Sequence, residues 1–202
     1  ELKGFPQPVR AWQVSGECQP ASRFAARGGV HDVPLVGREE ELGLLLRRWG
    51  AVQAGECQAV LLCGEPGIGK SRLAAALTQE SDGALCCNCQ CSPHLTHTAF
   101  HPFIEALERQ AGITREMPPA DALAALRQHL AASGLGAAAD LPLFAALLSL
   151  PADTGAAMSP QRQREQTIAA LVRLLLAQAR QRPLLLLFED VHWADPTSLD
   201  VL

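Results

Sequence analysis

Gly64-Glu65-Pro66-Gly67-Ile68-Gly69-Lys70-Ser71 fits the phosphate-loop pattern G-x-x-x-x-G-K-[ST] at every fixed position. Glycines at these positions let the backbone curl until its N–H groups face phosphate oxygens. The Lys70 ammonium adds a point charge for the β- and γ-phosphates, and the Ser71 hydroxyl can ligate Mg²⁺. Far downstream, the apolar run Leu184-Leu185-Leu186-Leu187-Phe188 closes on Glu189 and Asp190. Carboxylates at the C-terminal end of such a run lie where α/β sheets bind ligands. One carboxylate suits Mg²⁺, and its neighbour suits an attacking water. A third group gathers Cys86, Cys87, Cys89, Cys91, His94, His97 and His101. These are zinc-type ligands, and a zinc-binding module is the rival they raise. Their spacing sets residues 87, 89 and 91 on one face of a strand, without paired C-x₂-C loops, so core cysteines are the expectation.

The elements that must position these groups follow from periodicity. Gln58–Cys63 is a short apolar run of buried-strand length, and Ser71–Glu80 reads as a helix with Leu73, Ala76 and Leu77 on one face. The same reading predicts a second strand over 84–91, ended by Ser92-Pro93-His94, and a helix from Pro102 carrying Phe103, Ile104 and Leu107. Helices are predicted over Asp121–Ala132 and Asp140–Leu150, the latter opening with Asp140 as cap and Pro142 close behind. Ser159 is an N-cap with Pro160 at the first helical position, and that helix runs to about Gln181. Pro183 stops it. Leu184–Asp190, continuously apolar to its last two residues, predicts a parallel strand buried on both faces. Asp195-Pro196 caps and opens a final helix. Upstream, Glu39, Glu40 and Glu41 suit the first turn of a helix. Leu42, Leu45, Leu46 and Trp49 give that helix an apolar stripe.

The 202 residues make one domain or slightly more, and 48% apolar content is enough for a core. A net charge of −4 gives no electrostatic case for nucleic acid or an anionic membrane as partner. No apolar run approaches membrane-spanning length, and the first residues do not resemble a signal peptide. Seven cysteines, an odd number, beside a phosphate loop suit a reducing cytoplasm better than a disulfide scaffold. The chain opens on Glu1 and closes within a helical pattern at Leu202, so it reads as a piece of a longer protein. Residues 17–32, rich in Gly, Ser, Ala and Arg and without periodicity, read as a linker.

Five segments occur in order: Val36-Gly37-Arg38-Glu39, Gly64–Ser71, Cys91-Ser92-Pro93-His94, Ser159-Pro160-Gln161-Arg162-Gln163 and Phe188-Glu189-Asp190-Val191-His192-Trp193-Ala194-Asp195-Pro196. Together they resemble the signalling P-loop ATPases of the AAA+/STAND type, fused to class III adenylate/guanylate cyclases or to LuxR-type transcription regulators. The resemblance spans residues 33–202. Residues 1–16, with Leu2-Lys3-Gly4-Phe5 and Pro8-Val9, resemble the last strand of a cyclase catalytic domain. That favours the cyclase-fused branch, with the cyclase domain N-terminal and helical repeats C-terminal.

The resemblance implies a three-layer α/β/α fold with a parallel sheet in the order 5-1-4-3-2. Residues 58–63, 84–91 and 184–189 would be strands one to three, with a helical insertion between the second and third. The C-terminal strands are expected to be missing, which leaves the sheet incomplete. It further implies that Val36, Gly37 and Arg38 line the adenine side of an ATP pocket. Gly64, Glu65, Pro66, Gly67, Ile68, Gly69, Lys70, Ser71 and Arg72 would hold the phosphates. Ser71 and Glu189 would hold Mg²⁺, the latter directly or through a water. Asp190 would stand at the catalytic position, where AAA+ enzymes often carry Glu, and this points to slow or no hydrolysis. The expected function is an ATP/ADP-binding regulatory switch. A multiple-turnover ATPase and the ATPase portion of a LuxR-type regulator are the alternatives.

Overall fold

The computed structural model describes residues 35–135, 137–151 and 158–202. The cyclase-like strand and the linker expected over residues 1–32 lie outside the described residues. The elements run in the order α1 Glu39–Gln53, α2 Lys70–Glu80, β1 Leu85–Gln90, α3 His101–Ala111, α4 Pro119–Ala132, α5 Ala137–Leu147, α6 Pro160–Gln181 and β2 Leu184–Glu189. A 3₁₀ turn, Val191–Trp193, and a short helix α7, Pro196–Leu199, follow.

β1 and β2 pair in parallel and without a bulge, from Leu85 opposite Leu184 to Gln90 opposite Glu189. The ninety-odd residues between them form the helical crossover α3–α6, as parallel pairing requires. Period-two alternation then sorts the side chains. Cys87 and Cys89 from β1 join Leu184, Leu186 and Phe188 from β2 in the larger core, with α3 to α6. Phe103 on α3 meets Phe188 edge-on, ring centres 5.4 Å apart. On the opposite face Leu185 packs with Leu45 and Trp49 of α1 and Leu73 and Leu77 of α2. The sheet therefore lies between two helical layers, the α/β arrangement expected.

Two helices start where local chemistry favours it. Ser159 Oγ accepts the Arg162 N–H at 3.4 Å, with Pro160 first in the helix. Acidic Glu39, Glu40 and Glu41 crowd the first turn of α1.

Three expectations change. Helix α5 starts at Ala137, so Asp140 lies inside its first turn rather than at its cap. There its carboxylate takes the Arg173 guanidinium at 2.5 and 3.3 Å, a partner no local pattern reveals. β2 is half-buried along its whole length rather than buried on both faces, because β1 covers one edge and α1 and α2 cover little of the far face. Residues 58–63 join no ladder among the described residues, and Val60, Leu61 and Leu62 are 49%, 74% and 36% exposed. A strand is stabilised by its neighbours, and among the described residues this run has none to pair with.

Candidate functional site

The loop that opens α2 turns through glycines. Gly67 and Gly69 have φ of 84° and 101°, and an added Cβ would meet open space at both. Left-handed backbone, not crowding, is therefore what requires glycine there. Gly64 is different: its Cβ would come 3.2 Å from the Ile68 side chain, so this glycine also permits the loop to close on itself. Lys70 fills the turn it closes, its Nζ donating to the carbonyls of Gly64 at 2.8 Å and Glu65 at 2.9 Å. Glu65, Pro66 and Ile68 are exposed, whereas Lys70, Ser71 and Arg72 are half-buried where the helix begins. Gly69 stands at the cap position of α2 with no side chain to cap it. An uncapped first turn presents backbone donors and the positive end of the helix dipole.

The structure brings Arg38 to this loop. Its Nη2 donates to Ile68 O at 3.2 Å and its Nη1 to Glu41 Oε1 at 2.6 Å. Gly37 N–H donates to Glu39 Oε1 at 3.0 Å. Val36 is 78% exposed.

The carboxylate half of the site lies at the C-terminal end of β2. Glu189 is the last residue of the strand, opposite Gln90, and Asp190 follows with φ 54° and ψ 42°. Left-handed backbone is tolerated better by Asp than by most residues, and non-glycine cases collect at functional sites. It turns the chain directly into the 3₁₀ turn, where Trp193 N–H donates to Asp190 O at 2.8 Å. His192 and Trp193 sit ring to ring, centres 4.8 Å apart. The Asp190 and Asp195 carboxylates also neighbour Cys91. Burial first, then these two charges, push its thiol up to about 11. Helix α2 packs against β2, so one helix–strand contact joins the loop half to the carboxylate half.

Two residues here do more than their local pattern implies. Glu41 is a first-turn acid, and its spacing of three from Arg38 at a helix start is also a pairing signal. Asp195 is a cap. It is 2% exposed and also accepts the Phe100 N–H at 3.3 Å, joining segments ninety-five residues apart. Cys87, Cys89 and Cys91 are core residues, each at most 4% exposed. Among the described residues, no three Cys, His, Asp or Glu side chains converge as a metal-binding group.

This donor set fits a magnesium-bound nucleoside triphosphate. The loop has glycine-permitted curvature, a lysine at its centre and an uncapped helix start. The hydroxyl of Ser71 and the carboxylate of Glu189 are groups of the hard oxygen type that Mg²⁺ takes.

A family model described as AAA ATPase domain matches residues 34–202. An uncharacterised protein of Rhizobium meliloti (strain 1021) is 35% identical over 207 residues, covering 100% of this chain and 20% of that protein. The chain thus spans about a fifth of the length of this curated relative. No solved structure matches it. By its family match, its phosphate loop and its layered α/β fold, the chain belongs to the AAA ATPase domain family, P-loop proteins that bind ATP with Mg²⁺.

Proposed function

We propose that residues 33–202 are the ATP-binding switch of a larger cytoplasmic signalling protein of the STAND type, one whose N-terminal part is a class III cyclase domain. The phosphate loop carries this reading: every fixed position of its motif is present, and Lys70 is poised at the loop's centre. The relative's greater length supports a multidomain parent. The cyclase assignment rests on residues 1–16, and residues 17–32 would join the two domains. Among the described residues no helix is long and apolar enough to cross a membrane.

The roles divide by chemistry. Gly64, Glu65, Pro66, Gly67, Ile68 and Gly69 supply the curved backbone, and Lys70, Ser71 and Arg72 begin the helix at its edge. Lys70 exchanges its two carbonyl contacts for phosphate oxygens. Ser71 and Glu189 hold Mg²⁺, which neutralises the charge that develops on the phosphates. Val36, Gly37 and Arg38 flank the nucleotide. Asp190 positions the water, and its side chain is one methylene shorter than the usual Glu. Positioning dominates phosphoryl-transfer catalysis, so this shortening makes hydrolysis slow and lets nucleotide state persist as a signal. ATP/ADP and the neighbouring domains of the same chain are the partners, with no direct role for nucleic acid.

Lys70→Ala is expected to remove most affinity for a fluorescent ATP analogue, measured by titration of the intact protein. Unchanged affinity would reject the assignment. Steady-state phosphate release separates the switch from a working enzyme: the switch reading requires less than about one turnover per minute, well below the usual enzyme range.

A further inference from the structure

The resemblance sets Arg38 on the adenine side of the pocket, and its guanidinium also donates to the phosphate loop. It reaches Ile68 O at 3.2 Å across thirty residues of chain. Ile68 lies between Gly67 and Gly69, both left-handed. Gly69, on one side of the 68–69 peptide, leaves that peptide free to turn about its φ. A loop that binds an anion through N–H groups needs those groups held still, and beside the Lys70 contacts within the loop one restraint comes from outside it.

The peptide geometry gives that restraint a direction. A trans peptide carries its C=O and N–H on opposite sides, and none of the described peptide bonds is cis. Drawing Ile68 O toward Arg38 therefore turns the Gly69 N–H away from Arg38. The guanidinium is fixed in turn by Glu41, its Nη1 donating to Oε1 at 2.6 Å. Three residues apart at the start of α1, the two side chains share one face. Arg38 holds the Glu41 carboxyl below its usual range by this hydrogen bond. A guanidinium can serve two acceptors in fixed directions at once, and an ammonium cannot fix both.

We infer that Arg38, oriented by Glu41, is a positioning residue that fixes the 68–69 peptide of the phosphate loop, so that its effect is felt by the polyphosphate of a nucleotide and not by the base. This rests on the ATP-binding reading above. Both side chains are more than a third exposed, so the effect is modest, about three- to fivefold in affinity.

The test titrates the intact protein with Mg-ATP, Mg-tripolyphosphate and adenosine. Wild type is compared with Glu41→Gln, Arg38→Lys and the double variant, with Lys70→Ala as control. Unchanged far-UV circular dichroism establishes that each variant is folded. The expected result is an equal loss for ATP and tripolyphosphate and no change for adenosine. The double variant should be no weaker than the worse single one, because the pair acts as a unit. Loss of ATP and adenosine with tripolyphosphate unchanged would overturn the inference and return Arg38 to the base. Unchanged ATP affinity in the Arg38 and Glu41 variants, with binding lost in Lys70→Ala, would overturn it and leave the ATP-binding reading standing. Wild-type protein that binds neither Mg-ATP nor tripolyphosphate would overturn both.

Discussion

Cys87 and Cys89 show how one spacing serves packing rather than ligation. Two apart on β1, they turn to the same core, each thiol beside the other. That contact lowers the acidity threshold of Cys87 and raises that of Cys89. Cys91 is held protonated at neutral pH by burial and by the charges of Asp195 and Asp190. A thiol reacts as its thiolate and only where reagent can reach it. Cys57 and Cys63 are exposed. Iodoacetamide at neutral pH should therefore modify Cys57 and Cys63 in the native protein and leave Cys87, Cys89 and Cys91 intact until urea is added. Peptide mass mapping reads the result. Rapid native labelling of Cys87 or Cys89 would contradict the core assignment. Protection of all three that a strong chelator abolishes would instead point to a bound metal.

At the scale of elements, Asp195 fastens the end of the sheet to the crossover. Its Oδ1 accepts the N–H groups of Ser198 at 2.9 Å and Phe100 at 3.3 Å, and its Oδ2 accepts the Ser198 hydroxyl at 2.5 Å. Helix α7 is thus capped, and the left-handed turn at Phe100 that launches α3 is held against it. Asp195→Ala deletes a cap and leaves two N–H groups without their acceptor, at a cost of about 2–3 kcal/mol. Asp195→Asn keeps an oxygen in place and should cost about 1 kcal/mol. Urea denaturation with unchanged m tests both, and equal stability of Asp195→Ala and wild type would contradict the fastening role. The sequence announced the cap, because Asp-Pro at a helix start is local chemistry. It did not announce Phe100, because the contact joins segments far apart in the chain. The same division explains the rest. Ser159-Pro160 and the apolar run 184–188 were legible, as was the glycine–lysine loop. The true start of α5 was not, because the ion pair of Asp140 with Arg173 is made by tertiary packing. The seat of Arg38 on Ile68 O was hidden for a further reason: its acceptor is backbone, and backbone carries no sequence signal.

Across the whole molecule, the two halves of the candidate site rest on unequal foundations. Glu189 ends, and Asp190 follows, a strand paired with β1 along its length and packed against the larger core. The phosphate loop follows residues 58–63, which join no ladder among the described residues and expose Val60, Leu61 and Leu62. The strand order 5-1-4-3-2, implied by the family resemblance, sets one strand between residues 58–63 and β2. Such a strand would cover the apolar side chains of the first and hydrogen-bond the second edge of the other. It would also hold the loop and the carboxylates at a fixed separation. Without it, α2 packing on β2 is what relates them, and catalysis by positioning tolerates little error. Residues 33–202 alone are therefore expected to bind Mg-ATP weakly, to show no measurable hydrolysis and to associate through the exposed run at 60–62. A longer stretch of the parent chain, carried through two further strands, should bind more tightly and gain several degrees in Tm when Mg-ATP is added. Phosphate release, Tm shift and sedimentation on the two forms decide the matter. Equal rates and equal shifts would mean that the carboxylates meet the loop without an intervening strand, and the implied order would have to be abandoned.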